Sequence, residues 1–327
     1  MKLNFNRALV TGGAGFIGSH LVDALVAAGC RVAVIDSLAT GAISNLEHIR
    51  GQIAFHQGDI RDRKILEKAA ENCEVLFHLA AVVSVPETVA NPVESACVND
   101  LGTLYVLETA RRRNVKRVVF SSSCAVYGDD PALPKQESML PQPCSPYAVQ
   151  KLTGEHYAQV YHELYGLETT SLRYFNVYGP RQDPSSPYSG VISLFMTHAV
   201  SDAVPVIFGD GHQSRDFVYV QDVVRANLLA AVADQADGQV FNVGTGRSVP
   251  IKRLWEMIRM LSGATRQPRY EPARAGDIVK SVAGTALIKK HLGFAPDYTF
   301  ERGLGLTFEW YRESRRAEGA RRKTDAS

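Results

Sequence analysis

A chain of 327 residues is longer than one hydrophobic core usually supports, so two lobes are expected. Apolar residues make up 45% and charged residues 21%, as in an ordinary soluble globular protein, and a formal net charge of only +2 argues against nucleic acid or an anionic membrane as a partner. No apolar run approaches the ~20 residues that cross a bilayer, and the N-terminus has no apolar signal region, so a cytoplasmic location is expected.

Short β-branched runs alternate with helical patterns over the first 175 residues. Strands are predicted at 7–11, 31–36, 53–57, 74–79, 117–122 and 168–174, and helices at 16–28, 62–70, 91–113 and 147–165. Pro92 suits the first turn of the third helix. Such alternation predicts a parallel sheet covered on both faces, with ligands beyond the carboxyl ends of its strands. After Tyr174 the texture changes. Residues 176–216 are rich in Gly, Pro, Ser and Asp, and 217–243 then reads as strand, helix and strand. The expected organisation is a first domain of 1–176 to which 217–246 returns, and a second lobe of 177–216 and 247–311. The polar, basic stretch 312–327 is expected to be disordered.

Between the first strand and the first helix lies Thr11-Gly-Gly-Ala-Gly-Phe-Ile-Gly-Ser19. Gly12, Gly15 and Gly18 permit a tight turn and let the main chain, with Phe16 and Ile17 opening the helix, approach a pyrophosphate at the helix N-terminus. Asp36 closes the second strand, where a carboxylate accepts both hydroxyls of an adenosine ribose and repels a 2′-phosphate. The cofactor predicted is therefore NAD rather than NADP. Asp59 and Ile60, following the third strand, are further candidates near the adenine.

Tyr147 and Lys151 stand four residues apart on a predicted helix and share a face. A tyrosine loses its proton near pH ~10, and a neighbouring ammonium favours the phenolate, which can then take a proton from an alcohol. Ser123, at the end of the fifth strand, can hold the reacting hydroxyl toward Tyr147. The five cysteines and nine histidines are scattered, with no spacing suited to a metal, so no metal ligands are predicted.

Five segments carry a family resemblance: the glycine loop, His78-Leu-Ala-Ala81, Ser121-Ser-Ser-Cys-Ala-Val-Tyr-Gly128, Ser145-Pro-Tyr-Ala-Val-Gln-Lys151 and Arg173-Tyr-Phe-Asn-Val-Tyr-Gly179. Together they resemble the extended short-chain dehydrogenase/reductases, and within them the UDP-sugar 4-epimerases, from about residue 7 to about residue 310. The resemblance implies a Rossmann-type, doubly wound parallel sheet with a smaller, interleaved C-terminal substrate lobe. It also implies one redox cycle at one site. Tyr147 takes the proton of the sugar 4-hydroxyl while carbon 4 gives hydride to NAD. The 4-keto sugar turns, and hydride returns to the other face.

By the same resemblance, Lys151 also holds the nicotinamide ribose, while Ala80 and Asn99 belong to the cofactor site. Asn176, Arg215 and Arg274 match diphosphate ligands, Asp277 an acid near the uridine ribose, and Val206 and Phe208 the walls around uracil. Ser84, Gln182 and Ser281 match positions lining the sugar pocket. A serine at 281, where a bulky Tyr goes with restriction to UDP-glucose and UDP-galactose, implies room for an acetamido group. Val83 departs from the small residue often found before Ser84. The expected substrates are thus UDP-N-acetylglucosamine and UDP-N-acetylgalactosamine, with UDP-glucose and UDP-galactose. Rival readings are a UDP-glucuronate 4-epimerase, a nucleotide-sugar dehydratase or decarboxylase, and a non-catalytic NAD-binding scaffold. Resembling dehydratases carry Asp-Glu where this chain has Cys124-Ala125. Helices 91–113 and 147–165 correspond to a four-helix dimer interface in relatives, so a homodimer is expected.

Overall fold

Six β-branched runs become parallel neighbours in one sheet: β1 (Arg7–Thr11), β2 (Arg31–Asp36), β3 (Ile53–Gln57), β4 (Val75–His78), β5 (Arg117–Ser123) and β6 (Glu168–Tyr174). The computed structural model describes residues 2–183, 190–273 and 279–324. Helices interleave with these strands as α1 (Phe16–Ala27), α2 (Arg63–Ala69), α3 (Val85–Ala90), α4 (Pro92–Ala96), α5 (Gly102–Arg112) and α6 (Pro146–Tyr165). Beyond them come β7 (Asn176–Tyr178), α7 (Val191–Ser201), β8 (Val206–Phe208), β9 (Ser214–Arg215), β10 (Phe217–Tyr219), α8 (Val220–Val232) and β11 (Gln239–Val243). The chain closes with β12 (Val249–Pro250), α9 (Ile251–Ser262), β13 (Arg269–Glu271), α10 (Ala286–Leu292) and α11 (Phe300–Thr324).

Strand order in the main sheet is β11-β6-β5-β4-β1-β2-β3, every pair parallel. The order reverses between β1 and β4, and crevices at such reversals are where open α/β sheets bind ligands. Side-chain alternation divides the core. Ala8 and Val10 join a cluster with Leu21, Leu25, Val223 and Ile288, whereas Leu9 faces the opposite layer of Leu66, Val106 and Leu107. Burial on both faces explains why these strands read as continuous apolar runs.

α6 carries its own start and stop signals. The Ser145 hydroxyl accepts the Ala148 N–H at 3.2 Å, Pro146 sits in the first turn, and Gly166 ends the helix at φ +68°. Midway, Gly154 lies against the Phe120 ring, where an added Cβ would stand 2.3 Å from the ring edge. Glycine is what allows this helix to approach β5 so closely.

A second core is assembled from Tyr178, Phe195, Met196, Ile207, Phe217, Tyr219, Leu254, Trp255, Phe308 and Tyr311. The structure differs from the sequence reading at four places. α7 lies within the stretch read as turn-rich, because Val191–Ser201 is an apolar helical run whose flanks alone carry the turn residues. β10 pairs with β7 instead of entering the main sheet. Its alternation sends Phe217 and Tyr219 into the second core and Val218 into the first. Helix 91–113 is divided by a π turn at Cys97–Leu101. Finally, α11 continues to Thr324, so the expected disordered tail is helical there, consistent with its Arg, Glu, Ala and Lys content. Among the described residues no helix is long and apolar enough to cross a membrane, and no group of His, Cys, Asp and Glu is placed to hold a metal.

Candidate active site

The glycine loop sits at the carboxyl end of β1, beside the reversal in strand order. Gly12 has φ +69°, and a Cβ there would meet the Ala80 backbone nitrogen at 2.8 Å. A Cβ on Gly18 would stand 2.1 Å from the Gly12 carbonyl oxygen, so the third glycine lets α1 close on the turn. Gly15 caps α1 without a side-chain acceptor, leaving first-turn N–H groups open to an anion, while Phe16 and Ile17 begin the helix half-buried. Asp36 is buried at the end of β2, and its carboxylate accepts the N–H groups of Ala14 and Leu38, each at 2.8 Å. This acid therefore also pins the glycine loop. An open cradle, an uncapped helix and an acid at the neighbouring strand end together fit a dinucleotide.

Asp59 and Ile60 lie at the end of β3, each already engaged. Arg61 grips Asp59 through Nε at 3.0 Å and Nη2 at 2.8 Å, which holds the carboxyl below its usual range. Ile60 is packed into the core against Gly102.

A buried polar column braces the segment after β4. Thr11 Oγ1 meets His78 Nδ1 at 2.8 Å, and His78 Nε2 meets Thr103 Oγ1 at 3.0 Å. Burial lowers the His78 pKa to about 3, so the ring is neutral. Thr11 Oγ1 also accepts the Ala80 N–H at 3.2 Å. The π turn aims Asn99 at the same segment. Its amide accepts the Val82 N–H at 2.8 Å, donates to the Val82 carbonyl at 2.9 Å and donates to Gln150 Oε1 at 2.7 Å. Asn99 thus acts here as a clamp between the post-β4 segment and α6.

Ser123, Tyr147 and Lys151 converge at the end of β5. The Ser123 hydroxyl lies beside the Tyr147 phenol, near enough to favour its ionised form, and accepts the Ala125 N–H at 3.1 Å. Burial pushes the phenol up to about 12, opposed by Ser123. Lys151 donates to the Ser121 carbonyl at 2.8 Å, with Nζ 5.1 Å from the Phe120 ring centroid and 5.9 Å from that of Tyr147. Burial lowers its pKa to about 8, opposed by Glu155. An alcohol at the phenol would meet a donor-acceptor pair with a cation beneath it, an arrangement suited to reversible proton transfer.

The candidate sugar-nucleotide residues divide. Ser281 is 6% exposed; its N–H donates to the Ser214 carbonyl at 3.1 Å, and its hydroxyl lies near Cys124, the neighbour of Ser123. Asp216, adjacent to Arg215, is fully buried. Its carboxylate accepts the Thr245 hydroxyl at 2.6 Å and the N–H groups of Thr245, Gly246 and Ala283 at 2.8, 2.9 and 3.0 Å. Arg215 pairs with Val249, and Asn176 with Phe217, on the strands flanking this hub. Val206 and Phe208 share the half-exposed face of β8. Gln182 donates to the Val177 carbonyl at 3.3 Å, and Ser84 caps α3 by accepting the Glu87 N–H at 3.2 Å. Arg274 and Asp277 lie outside the described residues.

With the cradle, the acid and the proton-transfer trio arranged along one strand edge, the family follows. The chain belongs to the NAD dependent epimerase/dehydratase family, whose sequence model matches residues 8–244. Its cofactor is NAD. A UDP-glucose 4-epimerase of Mycolicibacterium smegmatis is 40% identical, covering 94% of this chain and 98% of that one. The structure of a UDP-N-acetylglucosamine 4-epimerase from Methanobrevibacter ruminantium, in complex with UDP-N-acetylmuramic acid, superposes with TM-score 0.91 at 42% identity, covering 96% of this chain and 100% of that one. A Thermus thermophilus UDP-glucose 4-epimerase in complex with NAD gives TM-score 0.86 at 38% identity, covering 94% and 99%.

The column through His78, the clamp at Gln150 and the hub at Asp216 are features of this structure that sequence reasoning passed over. His78 stood inside a quoted motif without a role. Asp216 follows Arg215 directly, but its partners lie 29 and 67 residues away. Replacing Asp36 by Ala should release the glycine loop as well as the ribose. Denaturing the purified protein and assaying the supernatant should yield NAD from the wild type and much less from Asp36→Ala. NADP as the principal wild-type species would overturn the assignment of Asp36.

Proposed function

We propose that this enzyme is a UDP-sugar 4-epimerase, interconverting UDP-N-acetylglucosamine with UDP-N-acetylgalactosamine and UDP-glucose with UDP-galactose. The observation that carries the proposal is the convergence of Ser123 and Tyr147, with the Lys151 ammonium 5.9 Å from the Tyr147 ring centroid, beside the glycine cradle. Tyr147 takes the proton of the sugar 4-hydroxyl and returns it at the end of the cycle. Ser123 orients that hydroxyl, and Lys151 lowers the cost of the phenolate. NAD, when bound, supplies the two-electron acceptor at carbon 4 and a positive ring beside the phenol. Cys124-Ala125 supports epimerisation over dehydration, since neither residue offers the carboxylate that eliminating water requires. Burial keeps the Cys124 thiol protonated, pushed up to about 12. That the relatives are named for both UDP-glucose and UDP-N-acetylglucosamine epimerisation supports the two substrate pairs.

Ser281 is proposed as the determinant for the acetylated pair, because its small side chain is buried near Cys124, the residue after Ser123. A homodimer is proposed from the apolar residues that α4 and α6 leave exposed. Val149, Val160 and Leu164 fall on one face of α6, with Leu164 70% exposed, and Val93 on α4 is 76% exposed.

Three measurements follow from this reading. Tyr147→Phe should lower turnover of every UDP-hexose by ~10²–10⁴-fold while UDP-sugar affinity is retained. Near-normal turnover would place the proton acceptor elsewhere. Ser281→Tyr should depress turnover of the acetylated pair relative to the plain pair by ~10-fold or more, with a melting midpoint recorded to separate the effect from overpacking. Equal losses on both pairs would remove Ser281 as the gate. Sedimentation should show a dimer for the wild type and a monomer for Leu164→Glu, whereas a monomeric wild type contradicts the proposed interface.

A further inference from the structure

Beneath the proton-transfer trio lies a buried ion pair that touches neither the phenol nor the substrate. Glu155 stands one turn beyond Lys151 on α6. Arg173, on β6, donates to its two oxygens from Nε at 2.8 Å and Nη2 at 2.7 Å. Both residues are 4% exposed, and the Ser122 hydroxyl donates to the same carboxylate. The Arg173 guanidinium lies 4.7 Å over the Tyr127 ring, whose hydroxyl donates to Asn242 on β11 at 2.7 Å. Buried ion pairs are seldom more stabilising than apolar groups of the same volume, so stability alone does not explain this one.

The geometry explains it better. Three consecutive serines at the end of β5 face three successive turns of α6. The Ser121 carbonyl accepts from Lys151, Ser122 donates to Glu155, and the Ser123 hydroxyl lies beside the Tyr147 phenol. We propose that Glu155, held by Arg173, is a positioning residue for the reaction, fixing the register of α6 on β5 and keeping Lys151 in its ammonium form. This rests on the roles given above to Tyr147 and Lys151.

The groups around Lys151 make the charge argument specific. Tyr147 and Glu155 face it from its own helix and His78 from β4; Cys124 lies beside Tyr147, and Arg173 stands behind Glu155 with Tyr127 and Glu137 near it. His78 is neutral, and burial keeps Cys124, Tyr127 and Tyr147 protonated, each pushed up to about 12. Among the described residues Glu155 is the anion acting on Lys151, opposing the burial that draws the ammonium down to about 8. Without it, Lys151 would lose its proton at lower pH, and the support for a Tyr147 phenolate would go with it. Arg173 supplies the counter-charge that makes a carboxylate tolerable in this interior.

Glu155→Gln keeps the shape and removes the charge. In the NAD-loaded enzyme at saturating UDP-sugar, the alkaline limb of kcat should move down by about one pH unit, with KM unchanged. Titration of the Lys151 resonance in ¹³Cε-lysine-labelled protein, assigned with Lys151→Met, should shift equally without any turnover. Removing one partner of a buried pair can prevent folding, so the double variant Glu155→Gln with Arg173→Gln removes both charges at once. It should shift the limb and the resonance in the same direction. Arg173→Lys retains the charges and should keep the wild-type limb. An unshifted limb and resonance in the Glu155 variants overturns the proposal. Failure of both to fold counts against it too, since a pair needed only for the fold would behave in that way. If Lys151→Met keeps its turnover and its alkaline limb, the role given to Lys151 fails instead, and the two failures are distinguishable.

Discussion

The closeness of α6 to β5 is the constraint on which the rest of the candidate site depends. Gly154 lets the helix rest on the Phe120 ring, and one turn toward the N-terminus Lys151 donates to the Ser121 carbonyl at 2.8 Å. Such a hydrogen bond tolerates only a few tenths of an ångström of misplacement before it weakens. Side chains on loops would not hold that tolerance. Here both partners issue from regular elements whose separation is set by van der Waals contact, so the geometry is prepared before any substrate arrives.

A second constraint acts at right angles to the first. Thr11, His78, Thr103 and Asn99 run from the cofactor cradle, across the segment after β4, to α6. Each member is a neutral donor or acceptor, and in a dry interior such a chain costs little once all its groups are matched. A charged imidazole at His78 would bring a second cation close to Lys151. Burial prevents that over the whole physiological range. The cradle and the proton-transfer trio are therefore joined by contacts that do not change with pH.

How much of this was legible in the chain follows from how far apart the partners lie. β1, β2, β3 and β6 appear at their predicted bounds, because strands buried on both faces announce themselves as uninterrupted apolar runs. The convergence of Tyr147 with Ser123 was readable because one strand end and one helix start carry both. α7 was hidden by averaging composition over a window wider than the helix. Asp59 read as a second candidate near the adenine, and its pairing with Arg61, two residues on, was not anticipated. The pairing of Glu155 with Arg173 was invisible, since nothing local distinguishes a charge that will be buried from one that will be solvated. Ser281 gave no sign of burial for the same reason, as the segment that pairs with it, at Ser214, lies far earlier in the chain.

The second core has a consequence for how the chain is made. Its members come from widely separated stretches, and the last of them, Leu304, Phe308 and Tyr311, lie on α11. The Tyr311 hydroxyl also donates to the Gln182 carbonyl at 2.6 Å, across 129 residues. Until α11 leaves the ribosome, Tyr178, Phe195 and Trp255 lack the wall that covers them, while the seven-stranded sheet already has all its strands. Emerging chains therefore pass through an interval with one lobe formed and an aromatic surface open to water, when association with other chains competes with completion. The helix that reads as the plainest part of the sequence is the one that ends that interval.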